Sequence, residues 1–360
     1  MPRILFIAAH RPDRSPSQRF RFEQYFAFLQ SQGYDCKLKY IISSNTDSIF
    51  YHPTSLLRKG LVFITCALRR LWHVIISGGY DVIFIQREAF MTGSIFFEKQ
   101  FKKSGAKLIF DFDDAIWKHD VSESNRKFGW LKRPEKTGDI ISLSELIIAG
   151  NNYLADYALQ HNKNVIIIPT TIDTEKYTPS VNKSMDDSIC IGWSGSATTI
   201  RHFANAIPAL SILKQKYGNR IFFKVIGAAN YRQPELELVG EPWKSETEVS
   251  ELQKIDIGIM PLPDDEWSKG KCALKGLQYM ALSIPTVMSP VGMNSEIITH
   301  GENGFLANTT EEWVHCLSLL IEDYDLRLQI GASARELVVQ NYSVTAQQNR
   351  YLQAVQSVIY

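Results

Sequence analysis

Twice along this chain, short apolar runs alternate with stretches of helical periodicity. That alternation limits the fold more than any other feature of the sequence. A run of about four to eight apolar residues bounded by turn formers fits a strand covered on both faces. Strands separated by helices pair in parallel, because the crossover needs the length of a helix. The first series places strands at 4–9, 36–42, 82–86, 107–111, 146–149 and 165–168. A helix is expected at 18–32, with Phe22, Tyr25, Phe26 and Leu29 on one face and Gly33 as its stop. Others are expected at 56–76 and 90–103. The turn-rich segment 169–179 breaks the series. It then restarts with strands at 188–193, 221–226, 255–260 and 285–288, and helices at 198–217 and 271–282. The chain closes with helices at 310–320, 324–340 and 345–359. This is an α/β pattern of two Rossmann-like, doubly wound domains in tandem. The length of 360 residues agrees, at ~150 residues per domain.

Composition excludes several classes. A formal net charge of +1 gives no general attraction to nucleic acid. The five cysteines (Cys36, Cys66, Cys190, Cys272, Cys316) are odd in number and lack CxxC spacing. They read as reduced thiols of a cytosolic protein, not as a disulfide or zinc framework. The apolar run near residue 1 is too short for a signal peptide, and no uninterrupted apolar run reaches the ~18 residues of a membrane span. The expected location is therefore cytoplasmic.

Open parallel sheets bind ligands beyond the carboxyl ends of their strands. Loop 10–21 offers His10, Arg19 and Arg21, the arginines either solvated or facing an anion. Loop 192–201 follows a strand and opens a helix. Its Gly195, Ser196, Thr198 and Arg201 make an anion cradle, or simply a well-capped helix. Loop 261–270 holds Asp264, Asp265 and Glu266, either solvated or hydrogen-bonded to a polar ligand. In a helix at 271–282, Lys271, Lys275 and Gln278 share one stripe, beside an apolar stripe of Leu274, Leu277 and Ala281, with Gly270 as a tight lead-in. Two lysines at a helix start oppose its dipole unless an anion sits there; a solvated lysine face is the plainer alternative. Asp111-x-Asp113 after a strand is one way to hold a divalent metal, though the motif is common by chance. The loop 118–136, with Phe128, Trp130, Lys132 and Arg133, is long enough for a lid or platform. Residues 56–76 combine many apolar side chains with Arg58, Lys59, Arg69 and Arg70 and no acid. Such a helix covers a sheet, or lies in the headgroup plane of a membrane with Arg69 and Arg70 on anionic lipid.

The stretch 269–304 resembles the donor-binding region of retaining GT-B glycosyltransferases of family 4, through Met280, Ala281, Pro285, Val287, Glu296, Gly301, Asn303, Gly304 and Phe305. The family's Glu-x7-Glu is replaced by Gly270 and Gln278. The chain follows a branch reading Gly-Lys-Cys-x-x-Lys-x-x-Gln-Tyr-x-Ala. Segment 169–179 resembles the family's interdomain hinge, with Thr170 and Thr171 in place of Asn-Gly, and 111–117 resembles an acceptor-domain stretch of the same branch. The resemblance implies GT-B: Rossmann-like domains at 1–169 and 170–342 facing across a cleft, with 343–360 crossing back to the first. It implies a retaining, metal-independent glycosyltransferase that needs no cofactor and takes a nucleotide-diphosphate sugar as donor substrate. Lys271, Lys275 and Arg201 would stabilise charge on the diphosphate. Gly195, Ser196, Thr198, Gly270, Cys272 and Ala273 would line the donor site, with Gln278 on the ribose, Trp243 on the base, and Glu266 standing in for the first glutamate. His10 or His119, Arg19, Arg21, Asp113 and Asp114 would lie on the acceptor side. The acceptor would be a glycan or lipid-linked molecule of cell-surface polysaccharide synthesis, reached through peripheral contact of 56–76 with the inner membrane face. Three rivals stand beside this: a nucleotide-sugar-binding protein without transfer, a GT-B epimerase, and a metal-dependent GT-A enzyme using Asp111 and Asp113.

Overall fold

A computed structural model describes residues 1–51, 56–118, 133, 135–180 and 188–360. The chain forms two compact units, Met1–Thr170 with Gln347–Tyr360, and Thr171–Ala346. In the first, strands β1 (Arg3–His10), β2 (Asp35–Ile42), β3 (Val82–Gln86), β4 (Lys107–Phe112), β5 (Leu146–Ala149) and β6 (Val165–Ile167) pair in parallel. Their order is β2-β1-β3-β4-β5-β6. Ile4 to Ala8 and Val82 to Ile85 are wholly buried, as strands covered on both faces must be. The chain leaves β1 for β2 and then returns past β1 to β3, so the winding reverses between β1 and β3. Right-handed crossovers place Pro16–Arg21 and Phe26–Ser31 on one face and Leu56–Ile75 and Phe96–Lys103 on the other. On the first face Tyr351, from the last helix Val344–Ile359, stacks on Tyr25 at 4.2 Å between ring centroids.

The expected helix 18–32 is broken into Pro16–Arg21, a 3-10 turn Glu23–Tyr25, and Phe26–Ser31. The break at Phe22 turns its ring into the core, 5.2 Å from Phe6.

Arg19 and Arg21 do not lie on an exposed loop; both are buried on the first helix. Arg21 donates to Asp111 of β4 at 2.5 Å and to the Ile168 carbonyl at 2.6 Å, while Arg19 lies 5.0 Å from the Phe20 ring centroid. Arg69 and Arg70 do not point outward from helix Leu56–Ile75. Arg70 is buried and donates to the Ala8 carbonyl (2.8 Å), and Arg69 donates to the Ile41 carbonyl (3.0 Å). Buried carbonyls near the strand ends need donors, and these side chains supply them. The apolar side of that helix faces solvent instead.

The second unit holds β7 (Ile189–Ser194), β8 (Ile221–Ile226), a short antiparallel pair β9 (Arg232–Gln233) and β10 (Leu238–Val239), then β11 (Ile257–Met260), β12 (Thr286–Met288) and β13 (Phe305–Leu306). Its main sheet is parallel throughout, in the order β13-β12-β11-β7-β8. Here the winding reverses between β7 and β11, so the loops after those two strands open at the switch point.

Arg21 and Asp111 are a buried pair, and removing one partner strands the other charge. Asp111→Ala should therefore cost ~3–5 kcal/mol in urea unfolding, with most of the loss recovered by the double change R21M/D111L. A cost below ~1 kcal/mol would show that the pair does not carry this weight.

Candidate active site

β7 runs straight into Gly195. A Cβ there would lie 2.2 Å from the Trp193 ring. Gly227, which follows β8 with φ +96°, leaves no room either, since its Cβ would meet the Gly195 carbonyl oxygen at 1.8 Å. Backbone and ring thus seat the loop closely. Ser196 N donates to Thr199 Oγ1 (3.0 Å), and Ser196 Oγ lies 2.8 Å from Thr198 Oγ1. The expected helix 198–217 begins as a 3-10 helix, Ile200–Ala206, and becomes α-helical at Ile207–Tyr217. Pro208 explains the change, because proline is accommodated only in the first turn of an α-helix.

The central helix is Leu274–Ala281, shorter than the expected 271–282. Gly270 ends a preceding turn of helix, Glu266–Lys269, which Asp265 caps by accepting from Ser268 N (2.7 Å). The left-handed residue is Ala273, with φ +52°, three positions after the glycine expected to make the turn. Lys271 therefore precedes the helix and shares no stripe with Lys275. From Gly276 onward every residue is buried. Tyr279 packs against Gly258 of β11, where a Cβ would come within 2.5 Å of the ring. Its hydroxyl accepts from Ser194 N at 2.6 Å, tying the helix to the end of β7.

Lys275 Nζ lies 5.3 Å from the Trp193 ring centroid and Lys271 Nζ 5.6 Å from that of Trp267. Arg201 and His202 follow the Gly195 loop. His202 is buried, and its pKa falls to about 4, first through burial and then through Lys271, Lys275 and Arg201. The three cations singled out in the sequence therefore share one neighbourhood at the switch point.

Other residues expected to line the donor site are placed differently. Gln278 is not on an open polar stripe. It is buried, with Nε2 3.3 Å from both Tyr177 Oη and Glu248 Oε1. Glu248 also accepts from Tyr177 Oη (2.6 Å) and from Trp243 Nε1 (2.9 Å). The ring expected to stack on the base thus has its N–H tied to a buried carboxylate. Glu266 is exposed in the first turn of its short helix, 3.5 Å from Lys269. Cys272 is buried, with Sγ 3.9 Å from the Gly270 carbonyl.

At the switch point of the first unit, the His10 backbone N–H donates to Gln18 Oε1 (2.8 Å). Burial, then Arg14, lowers the His10 pKa to about 4. Asp113 accepts from Ser17 Oγ and from Arg87 Nε (2.9 Å), and Arg87 also reaches Asp114. Burial opposes the charge on Arg87, but Asp113 and Asp114 outweigh it and raise its pKa. Arg87 holds φ +62°, a conformation that non-glycine residues adopt only when their surroundings impose it. The two carboxylates of Asp111-x-Asp113 thus face different arginines. Among the described residues no group of three His, Cys, Asp or Glu could hold a metal ion. His119, Phe128, Trp130 and Lys132 lie outside the described residues; Arg133 pairs with Asp139.

Sequence reasoning missed Arg87, Ser17, His202, Tyr177 and Glu248. Arg87 was discoverable, because it directly follows β3 at the switch point. Glu248 had no local signal.

Histidines with lowered folded pKa give a clear pH dependence. His10 and His202 bind protons near pH 4 when folded but near 6.5 when unfolded. Stability present above pH 6.5 is therefore lost as pH falls towards 4. Thermal unfolding should show Tm lower by roughly 3 °C or more at pH 5 than at pH 7, with a smaller drop in His202→Gln. A wild-type Tm that does not change across this range would contradict the burial of these rings.

Residues 189–323 match the family described as Glycosyl transferases group 1. Among solved structures, a glycosyltransferase from Rickettsia africae ESF-5 is similar with a TM-score of 0.66 and 14% identity, over 99% of this chain and 98% of that one. Sucrose-phosphate synthase from Thermosynechococcus elongatus is similar with a TM-score of 0.68 and 12% identity, over 99% of each chain. HepE from Anabaena, in complex with UDP-glucose, gives 0.65 and 14%, again over 99% of each. A search of curated proteins gives no match to the chain. The chain has the GT-B fold, and the part of it that carries the cation cluster matches the glycosyl transferases group 1 family.

Proposed function

We propose that the protein is a retaining, metal-independent glycosyltransferase of the family-4 branch. It transfers a sugar from a nucleotide-diphosphate sugar, which is a substrate and not a cofactor. The reading is carried by Lys275, whose Nζ lies 5.3 Å from the Trp193 ring centroid at the end of β7, with Lys271 just before its helix and Arg201 just after the glycine loop. A cluster of cations beside a glycine loop at a switch point suits a diphosphate. The similar HepE structures, which contain UDP-glucose or UDP, support that ligand class.

In this mechanism an acceptor hydroxyl attacks the anomeric carbon on the face the diphosphate leaves. The bond from carbon to phosphate oxygen breaks, the bond to the acceptor oxygen forms, and the leaving phosphate takes the proton. Lys271, Lys275 and Arg201 stabilise the negative charge growing on that phosphate. Gln278, held by Tyr177 and Glu248, takes the ribose hydroxyls. The acceptor is a glycan or lipid-linked molecule in polysaccharide synthesis, met at the cytoplasmic face of a membrane. The substitution of both family glutamates by Gly270 and Gln278 favours one second reading, a nucleotide-sugar-binding protein without transfer. Release of nucleoside diphosphate from a panel of nucleotide sugars, with and without acceptors, separates the two.

Lys271→Ala and Lys275→Ala should each lower kcat/KM by ~10²-fold or more with Tm preserved. Near-normal kinetics in both would return them to a solvated face. Activity should persist in EDTA; loss there, restored by manganese, would establish a metal-dependent reaction instead.

A further inference from the structure

Helix Leu56–Ile75 is turned the opposite way from an ordinary sheet-covering helix. Val62, Cys66, Arg70 and His73, its buried side, face the sheet. Leu57, Leu61, Ile64, Leu68, Trp72 and Ile75 form its outer stripe, and each is between 56% and 83% exposed. They recur every three or four residues, so they make one continuous apolar face along the helix. Monomeric soluble proteins seldom expose a contiguous apolar patch beyond a few hundred Å².

The helix is long and apolar enough to cross a membrane, but its inner side is fixed to the sheet. Arg69 and Arg70 donate to the Ile41 and Ala8 carbonyls, and Cys66 Sγ lies 3.4 Å from the Ile41 carbonyl. A helix held in this way has only its outer face to offer to a surface. Charge says which surface. The helix carries no acid, and Arg58 is exposed near its start. The neighbouring helix Phe96–Lys103 packs against it and adds exposed Phe96, Lys99 and Lys103 at positions i, i+3 and i+7. Elements packed on the helix offer no exposed carboxylate among the described residues. Glu98 and Asp47 are buried, and Asp35 is paired with Arg3 and Lys37. A second copy presenting this same face would bring a second set of cations, with no exposed carboxylate among the described residues of the packed elements to meet them.

We propose that the outer face of Leu56–Ile75, with Phe96, Lys99 and Lys103 beside it, docks in the plane of an anionic lipid surface, apolar stripe down and lysines on the headgroups. This refines the membrane part of the functional reading and rests on it, but not on the transfer chemistry. It also replaces Arg69 and Arg70, which the sheet holds, as the lipid-facing cations.

The test is sedimentation with phosphatidylcholine vesicles, with or without phosphatidylglycerol. The protein should bind the anionic vesicles at low salt and release as salt rises. Leu68→Gln with Trp72→Gln, and separately Lys99→Glu with Lys103→Glu, should each weaken binding by at least ~10-fold with Tm unchanged. Lys275→Ala should bind as the wild type does, so failed vesicle binding leaves the transferase reading intact, and failed transfer leaves this one intact. No binding at low salt, or binding indifferent to both pairs, overturns the proposal. So does a dimer that forms without lipid and is lost in the Leu68/Trp72 variant while vesicles go unbound.

Discussion

The second unit depends on how closely helix Leu274–Ala281 is held to its sheet. Gly258 leaves space for the Tyr279 ring, and Gly276 lets the helix approach Met288, where a Cβ would come within 2.1 Å. The Tyr279 hydroxyl then takes the Ser194 amide, joining the helix to the strand that feeds the glycine loop. Because these contacts are buried and short, the start of the helix has little freedom relative to residues 195–201. Lys271 and Lys275 are consequently brought to Arg201 and His202 by the packing of a buried helix. Cations placed in advance need little rearrangement when charge develops, which is what electrostatic catalysis requires.

The first unit solves a different problem. Three aspartates lie within four residues of β4's end, and unpaired carboxylates there would repel one another. Arg21 pairs with Asp111 inside the core, and Arg87 bridges Asp113 and Asp114 at its edge. Arg87 adopts a left-handed backbone to do so, a conformation that costs about 1–3 kcal/mol and needs compensation from its partners. The result is a polar switch point with fixed charges, where Ser17 and Asp113 are held together.

Much of the fold is legible in the sequence because buried parallel strands leave a local mark. Ile4 to Ala8 and Val82 to Ile85 read as strands for the same reason that they are buried on both faces. The side-chain partners are not legible, because they are distant in sequence. Nothing near Arg21 announces Asp111, and nothing near Gln278 announces Glu248. The helix expected at 271–282 starts later than its pattern suggests. Propensity assigns the turn to Gly270, whereas the structure gives the left-handed residue to Ala273. Periodicity identifies 56–76 as amphipathic but does not say which side faces the sheet. Carbonyls at the strand ends decide that, by taking Arg69 and Arg70. The cation cluster is legible in part. Lys271, Lys275 and Arg201 follow from their chemistry and their loops, but the buried His202 among them does not.

The central claim is that a diphosphate sits at the second unit's switch point. A crystal structure of the protein with a bound nucleoside diphosphate tests it most directly. The account predicts phosphate oxygens about 3 Å from Lys275 Nζ, beside the glycine loop, with Lys271 and Arg201 also in reach. A diphosphate bound elsewhere, with these side chains left in solvent, would contradict it.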